Sequence, residues 1–309
     1  MHKPPALALL LAAGIVGSAH AQPDSGDPGA PDSVSDEAIS EVAEGGGDIK
    51  FNFHASTTYY DEADFDDANG TIESWSSTFG VGAATSLGDG RISLGIDAEL
   101  INYDYTGTGN ASDDVTILTL SSTYTGQLES GNAWFVGATV SSARESGAEF
   151  DDSIAGMIFG GYRHKVSDTL ELGIGLAIRS RLEDDVLIIP LPQIRYDMGG
   201  GWVLSSQRAG VKLMYAASDA LSVGVSGEFE SRSFRLDTAN AVPGGAATHT
   251  GFPVAFQAEY KPSRSVMLSG RVGAALASEI EFFDSSGNSV NAREFDSAVF
   301  FGFSGTIFF

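Results

Sequence analysis

The feature that most constrains this chain is alternation. In the stretch "RISLGIDAEL" (91–100), Ile92, Leu94, Ile96, Ala98 and Leu100 take every second position, and Arg91, Ser93, Gly95, Asp97 and Glu99 fill the gaps. A period of two places the two sets on opposite faces of an extended strand. The pattern returns in "TLELGIGLAIRSR", "LSVGVSGEFE", "FPVAFQAEY", "SVMLSGRVGAAL" and "VFFGFSGTIFF". Most of these runs reach about ten residues, longer than ordinary globular strands and matched to the nine to eleven or so that cross a bilayer at a tilt. No later stretch approaches the roughly eighteen continuous apolar residues of a membrane helix.

The connections sort into two kinds. Short turns stand at "GDG", "ESGN", "VSD", "DMGGG", "ASDA" and "KPSR", and longer polar stretches such as "DEADFDDANG", "TGTGNASDD", "ARESGAEFDD", "DTANAVPGGAATH" and "DSSGNSVNARE" lie between them. Short turns on one side and long loops on the other characterise outer-membrane barrels. Tyr and Trp fall near strand ends. Tyr59, Tyr60, Trp75, Tyr103 and Tyr105 stand beside long loops, and Tyr124, Trp134, Tyr162, Tyr196, Trp202, Tyr215 and Tyr260 beside short turns. Two interfacial girdles are expected.

The expected fold is therefore all-β: a transmembrane antiparallel up-and-down β-barrel of about 14 strands over residues 49–309. Twelve is the alternative if the short pair "WVLSSQR" and "AGVKLMYAA" folds inward or lies at a rim. Pro190 and Pro192 cannot donate to a ladder, so they are expected at a bulge or at the loop end of their strand. The final strand must pair with the first, because an open edge in lipid leaves backbone groups unsatisfied at several kcal/mol each. Phe301, Phe303, Ile307 and Phe309, with Val299, would then face lipid and form a terminal assembly signal, while Gly302, Ser304 and Thr306 face inward.

Ahead of the barrel, residues 1–21 read as a signal peptide: a basic start at His2 and Lys3, an apolar run, and "AHA" before Gln22. Residues 22–48 hold no Lys or Arg and are expected to be a disordered acidic periplasmic leader. The whole chain carries 41 acidic against 17 basic residues, a formal net charge of -24, which disfavours nucleic acid as a partner. It has no Cys, so thiolate metal sites and cysteine nucleophiles are excluded.

Strand parity supplies the inward face. Its acids are Asp97, Glu99, Glu171, Glu228, Glu230 and Glu259, and its bases Arg179, Arg195, Lys212 and Arg271, joined by Arg181, Arg232, Gln193 and Gln257. Charges inside a barrel must pair or stay hydrated, so they form an ion-pair filling or line a small aqueous channel. Catalysis would turn on His54 (inward, beside Ser56), His164 (near a short turn) and His249 (in a loop). None carries a nucleophile motif, which weighs against an enzyme, and nothing calls for a cofactor. The outer acids Asp61, Glu62, Asp64, Asp66 and Asp67, with Glu149, Asp151, Asp152, Glu183, Asp184 and Asp185, suit Ca²⁺ or Mg²⁺ or form a solvated negative surface. Their spacing does not reproduce an EF-hand, and no defined metal site is expected.

The stretch 187–236, with "PLPQIRY" leading into a Trp-bearing strand and then "LMY", resembles a domain-of-unknown-function family of Gram-negative outer-membrane barrels. That resemblance implies the barrel and the outer-membrane location and lends no catalytic or binding residues. The expected function is a narrow passive channel for small solutes or ions. A sealed structural or adhesive barrel acting through its acidic outer loops, and a rim hydrolase of lipid or peptide, are the alternatives. The expected partners are outer-membrane lipid, lipopolysaccharide, the barrel-assembly machinery and divalent cations at the outer loops.

Overall fold

A computed structural model describes residues 49–66, 69–107, 114–183, 186–207 and 209–309. The expected signal peptide and acidic leader lie outside the described residues, as do Asp67, Asp184 and Asp185 of the acidic loops. Among the described residues, sixteen strand segments follow one another, β1 (Lys50–Asp64), β2 (Gly70–Leu87), β3 (Gly90–Gly107), β4 (Val115–Gln127), β5 (Ala133–Glu145), β6 (Ile154–Lys165), β7 (Leu170–Arg179) and β8 (Leu187–Gly199) making the first half. The second half is β9 (Trp202–Gln207), β10 (Gly210–Ala216), β11 (Leu221–Glu228), β12 (Glu230–Arg235), β13 (Ala246–Ser263), β14 (Val266–Phe283), β15 (Ser289–Phe295) and β16 (Ala298–Phe308).

These segments make fourteen staves of a closed antiparallel barrel. β11 and β12 keep one register against β13, as Gly227↔Val254 and Glu230↔Gly251 show, and form a single stave broken at Phe229. β15 and β16 likewise share one register against β14, with Phe295 opposite Ser278 and Ala298 opposite Ala275. The barrel closes where β1 meets β16, from Asn52↔Phe308 to Tyr60↔Phe300. Phe309 continues that seam, donating its N–H to the Phe51 carbonyl at 2.9 Å and accepting from the Phe51 N–H at 3.4 Å. The short β9–β10 pair is a full part of the wall, bonded to β8 and β11, so fourteen holds and twelve does not.

Alternation does what the sequence requires of it. Ile96, Ile174 and Phe256 are 63%, 67% and 71% exposed, as are Phe301, Phe303 and Phe309 at 53%, 57% and 73%. A belt of large aliphatic and Phe side chains this continuous belongs in hydrocarbon, since soluble proteins do not leave it in water. Below it Tyr124 and Trp134 touch at 5.2 Å and Trp202 and Tyr215 at 5.0 Å, part of the short-turn girdle. The turn 200–201 is tight because Gly199, Gly200 and Gly201 all take positive φ (77°, 64° and 88°), a conformation that costs other residues about 1–2 kcal/mol each.

The long-loop end departs from expectation in three ways. The stretch "DSSGNSVNARE" is mostly strand, a hairpin of β14 and β15 turning at 284–288, and His249 lies inside β13 rather than in a loop. Tyr60, Tyr103 and Tyr105 do not join the outer girdle: Tyr103 is 6% exposed and points inward with Asp97 and Glu99, whose parity it shares. Most consequentially, the barrel narrows. β12 meets β5 in a parallel pairing at Arg235↔Arg144, and Phe65 bridges Phe295. Among the described residues, β1 to β5 and β12 to β15 thus form a nine-strand ring, and β6 to β10 are left outside it. An odd ring cannot be antiparallel throughout, which is why its last contact is parallel.

The ring is filled by a dry core. Ile101, Val115, Phe234, Ile280 and Phe282 are each at most 4% exposed and pack together with Phe65, Tyr103 and Phe295. At about 1.5–3 kcal/mol for each large apolar side chain buried, this cluster fixes the outer end of the barrel.

Pro190 and Pro192 sit within β8, not at a bulge, opposite Leu176 and Ile174 of β7. On its other side β8 first pairs with β9 at Arg195↔Ser205. The Ile194 N–H points that way, to the Ser206 hydroxyl at 3.1 Å. Residues two apart present their backbone to the same side, so the nitrogens of Pro192 and Pro190 face an edge that, among the described residues, has no neighbour to receive a donor.

Candidate functional site

Below the dry core the barrel encloses a cavity of about 580 Å³ that runs from Gly201, Ala216 and Ser222 near the short turns up to Phe229. Its two sides differ. On β1, β13, β14 and β16 it is lined by His54, Ser56, Thr58, Gln257, Glu259, Ser269, Arg271, Ser304 and Thr306. On β5 to β10 the lining adds Phe135, Met157, Phe159, Ile189, Leu191 and Val203 among the polar Arg163, Glu171, Gln193, Arg195, Ser205 and Lys212. The inward face expected from parity is polar, charged in both signs and rich in Gly, Ala and Ser. The lumen wall carries large apolar side chains as well, mixed with the polar ones on β5 to β10.

Of the ten charged residues expected to line a channel, Glu171, Arg195, Lys212, Glu259 and Arg271 line this cavity. Glu171 and Arg195 are direct cross-strand neighbours on β7 and β8. Lys212 and Glu259 pair across the lumen wall at 3.5 Å, and Arg271 reaches Glu228 at 3.2 Å and the Thr58 hydroxyl at 3.1 Å.

The other five, Asp97, Glu99, Arg179, Glu228 and Glu230, point inward but are packed away from the cavity. Asp97 lies behind His54, with Oδ1 2.9 Å from the imidazole Nε2. Glu99 and Glu230 both hold Arg232, at 3.2 and 2.9 Å, and Glu99 accepts from the Ser76 hydroxyl at 2.7 Å. Tyr60 donates to Glu230 at 3.0 Å. Together they form a layer of charged side chains beneath the dry core, each with a partner that offsets the loss of water. Arg179 is 2% exposed. Parity found the face of these residues; their height decided which of them water reaches.

The three histidines on which catalysis would turn have separate partners. His54 is engaged by Asp97, and His249 stands 3.2 Å from the Tyr103 hydroxyl against Phe295, inside the ring. His164 meets the Asn132 side chain at 3.0 Å by a short turn. Among the described residues no three His, Asp or Glu side chains converge as metal ligands. Asp61, Glu62, Asp64, Asp66, Glu149, Asp151 and Asp152 are exposed, whereas Glu183 is buried on Arg181 at 2.9 Å. Outside the membrane-spanning part, Asp284 at the β14–β15 turn has its pKa held below the usual value by the Asn288 backbone N–H, the Asn288 side chain and the Ser286 N–H. Lys165 holds down the pKa of Asp168 in the turn 166–169, their charges 2.8 Å apart.

No protein-family model matches the chain, and no curated protein matches it in sequence. Among solved structures it is similar to the COG4313 outer membrane channel from Pseudomonas putida F1, at 10% identity and a TM-score of 0.47, over 85% of this chain and 96% of that one. It is also similar to the P. putida toluene transporter TodX (11% identity, TM-score 0.39, covering 88% and 92%) and to the KdgM porin (8%, 0.34, 84% and 98%). The strand register, rather than these likenesses, establishes the barrel.

Proposed function

We propose that this chain is an outer-membrane barrel that gives small solutes or ions a narrow passive path. The observation that carries the reading is the cavity of about 580 Å³ inside a lipid-facing wall, with charged side chains of both signs on it. A cavity whose wall holds Lys212, Glu259 and Arg271 retains water, since dry burial of such groups costs several kcal/mol each. Export by the signal peptide, insertion by an assembly machinery that reads Phe301, Phe303, Ile307 and Phe309, and contact of the acidic loops with lipopolysaccharide and its divalent cations complete the reading. Swelling of proteoliposomes in isosmotic solutes of rising size tests it: influx of the smallest solutes with exclusion of larger ones supports a narrow path, and no influx of any solute contradicts it.

A second reading has one observation in its favour. The dry core of the nine-strand ring constricts the axial route at the outer end, in the direction that a sealed barrel working through its outer loops would require. Such a barrel gives no influx, and substitutions in its lumen change nothing but stability.

A further inference from the structure

We infer that the lumen has a side exit through the barrel wall, between the upper edge of β8 and the tip of the β9–β10 hairpin, and that it passes small molecules with an apolar body and a polar end. The inference rests on the channel reading for the movement of solute, but the opening itself rests on the strand register. β9 reaches only to Gln207 and pairs with β8 no higher than Ser205↔Arg195. Above that point, among the described residues, β8 has its ladder to β7 alone, up to Leu187↔Arg179. The facing stave also loses its neighbour: β10 ends at Gly210↔Glu228, and β12 above it turns away to Arg144 of β5. Its end is held by Arg235, which donates to the Asp152 carbonyl at 2.9 Å and, across the top of the gap, to the carbonyl of Leu182, between β7 and β8, at 3.0 Å. Among the described residues, the two strand edges thus bound a window, with the hairpin below it and Leu182 above it.

An open edge within a membrane wall demands that its backbone donors be removed or satisfied. Both devices are present on β8. Pro190 and Pro192 have no N–H to leave exposed, and the Ser206 hydroxyl accepts from Ile194 at 3.1 Å, ending the ladder. The lumen reaches this gap, because Ile189, Leu191, Ser206, Ala209 and Phe229 line the same cavity as Lys212 and Glu259. The route leads from the short-turn end past apolar and polar side chains set side by side and leaves sideways, where the dry core constricts the axial route. A molecule with an apolar body and a polar end finds partners for both in such a lumen, Phe135, Phe159 and Leu191 for the one and Lys212 and Glu259 for the other, and its exit delivers it to hydrocarbon.

The chain has no cysteine, so single thiols can be placed at will. Leu191→Cys, Ile188→Cys and Phe135→Cys would each carry a bimane fluorophore in protein reconstituted in phosphatidylcholine vesicles, with and without acyl-brominated lipid. Ile188 faces lipid at 63% exposure and sets the full quenching, and Phe135 faces inward on a strand paired on both sides and sets the protected level. A loss of fluorescence at Leu191 on the scale of Ile188 supports the opening, and protection equal to Phe135 overturns it. Ile189→Cys, inward from the same edge, serves if Leu191→Cys does not fold. Joining Leu191→Cys to Ala209→Cys with a short bis-maleimide then tests the route. Loss of anilinonaphthalene sulfonate flux, with KCl conductance retained, supports it, and unchanged flux overturns it. Absence of KCl conductance throughout would count against the channel reading instead, and the quenching would still decide whether the wall is open.

Discussion

Arg235 of β12 and Arg144 of β5 lie side by side in a parallel pairing, although five staves separate their strands around the barrel wall. That one contact draws the fourteen-stave barrel into a nine-strand ring at its outer end and encloses the dry core. It is also what opens the wall above β9 and β10.

The core inside the ring carries the outer end of the fold. Phe234 is fully buried there, stacked on Tyr103 at 6.0 Å. Phe234→Ala should cost about 3–5 kcal/mol, the usual range for truncating a buried Phe. Urea unfolding in detergent micelles, followed by loss of heat-modifiable migration, measures this, and a cost under about 1 kcal/mol would mean that the ring is not packed as described.

The belt is tested at Phe301, which faces outward at 53% exposure and pairs with Tyr59 across the seam. Phe301→Arg should destabilise the barrel by about 2–4 kcal/mol if the site lies near the bilayer midplane. Gly302→Arg, on the inward face, is a different lesion: a side chain there meets Arg271, so like charges collide instead. Equal recovery of folded Phe301→Arg and wild type from membranes contradicts the lipid-facing assignment.

Lumen charge should set ion preference through one pair. Lys212→Ala leaves Glu259 without its partner in the lumen and should shift the reversal potential in asymmetric KCl toward cation preference, while Glu259→Ala should shift it toward anions. Glu99→Ala, in the layer bonded to Arg232 and away from the cavity, should move stability more than selectivity. Shifts of the same sign for both lumen variants contradict the placement of this pair.

The outer β14–β15 turn should respond to acid. Asp284 accepts hydrogen bonds from Asn288 and Ser286 in its charged form, so its folded pKa lies below the ordinary 3.8. The stabilisation it gives is fully present above that ordinary value and is lost as pH falls through the lower folded one. NMR shifts of the Ser286 and Asn288 amides should titrate in that window, and the titration should vanish in Asp284→Asn.

Much of this architecture is legible in the alternation. Parity put Asp97, Glu171, Lys212 and Arg271 inward and Phe301, Phe303 and Ile307 outward, and turn length sorted the two ends. The same parity also placed Tyr103 inward, since it stands an even number of positions from Asp97; the girdle rule, which reads only nearness to a strand end, set it wrongly on the surface. The large apolar side chains of the lumen were harder to see. Phe135, Met157, Phe159 and Leu191 alternate with residues that are also apolar, so β5, β6 and β8 read as hydrophobic on both faces. The ring could not be read at all, because the meeting of Arg235 with Arg144 depends on how far each neighbouring strand extends, a property of register rather than of any local pattern. Pro190 and Pro192 were the one signal of the free edge, and they point to it only once Ile194 shows which way their nitrogens face.

The most direct measurement is single-channel recording of purified, heat-modifiable protein in planar bilayers. A water-filled lumen below a tightly constricted ring predicts small, discrete conductance steps that grow when Phe234→Ala loosens the core above them. An absence of steps in both the wild-type protein and Phe234→Ala would contradict it, and would leave a sealed barrel whose work is done by its outer loops.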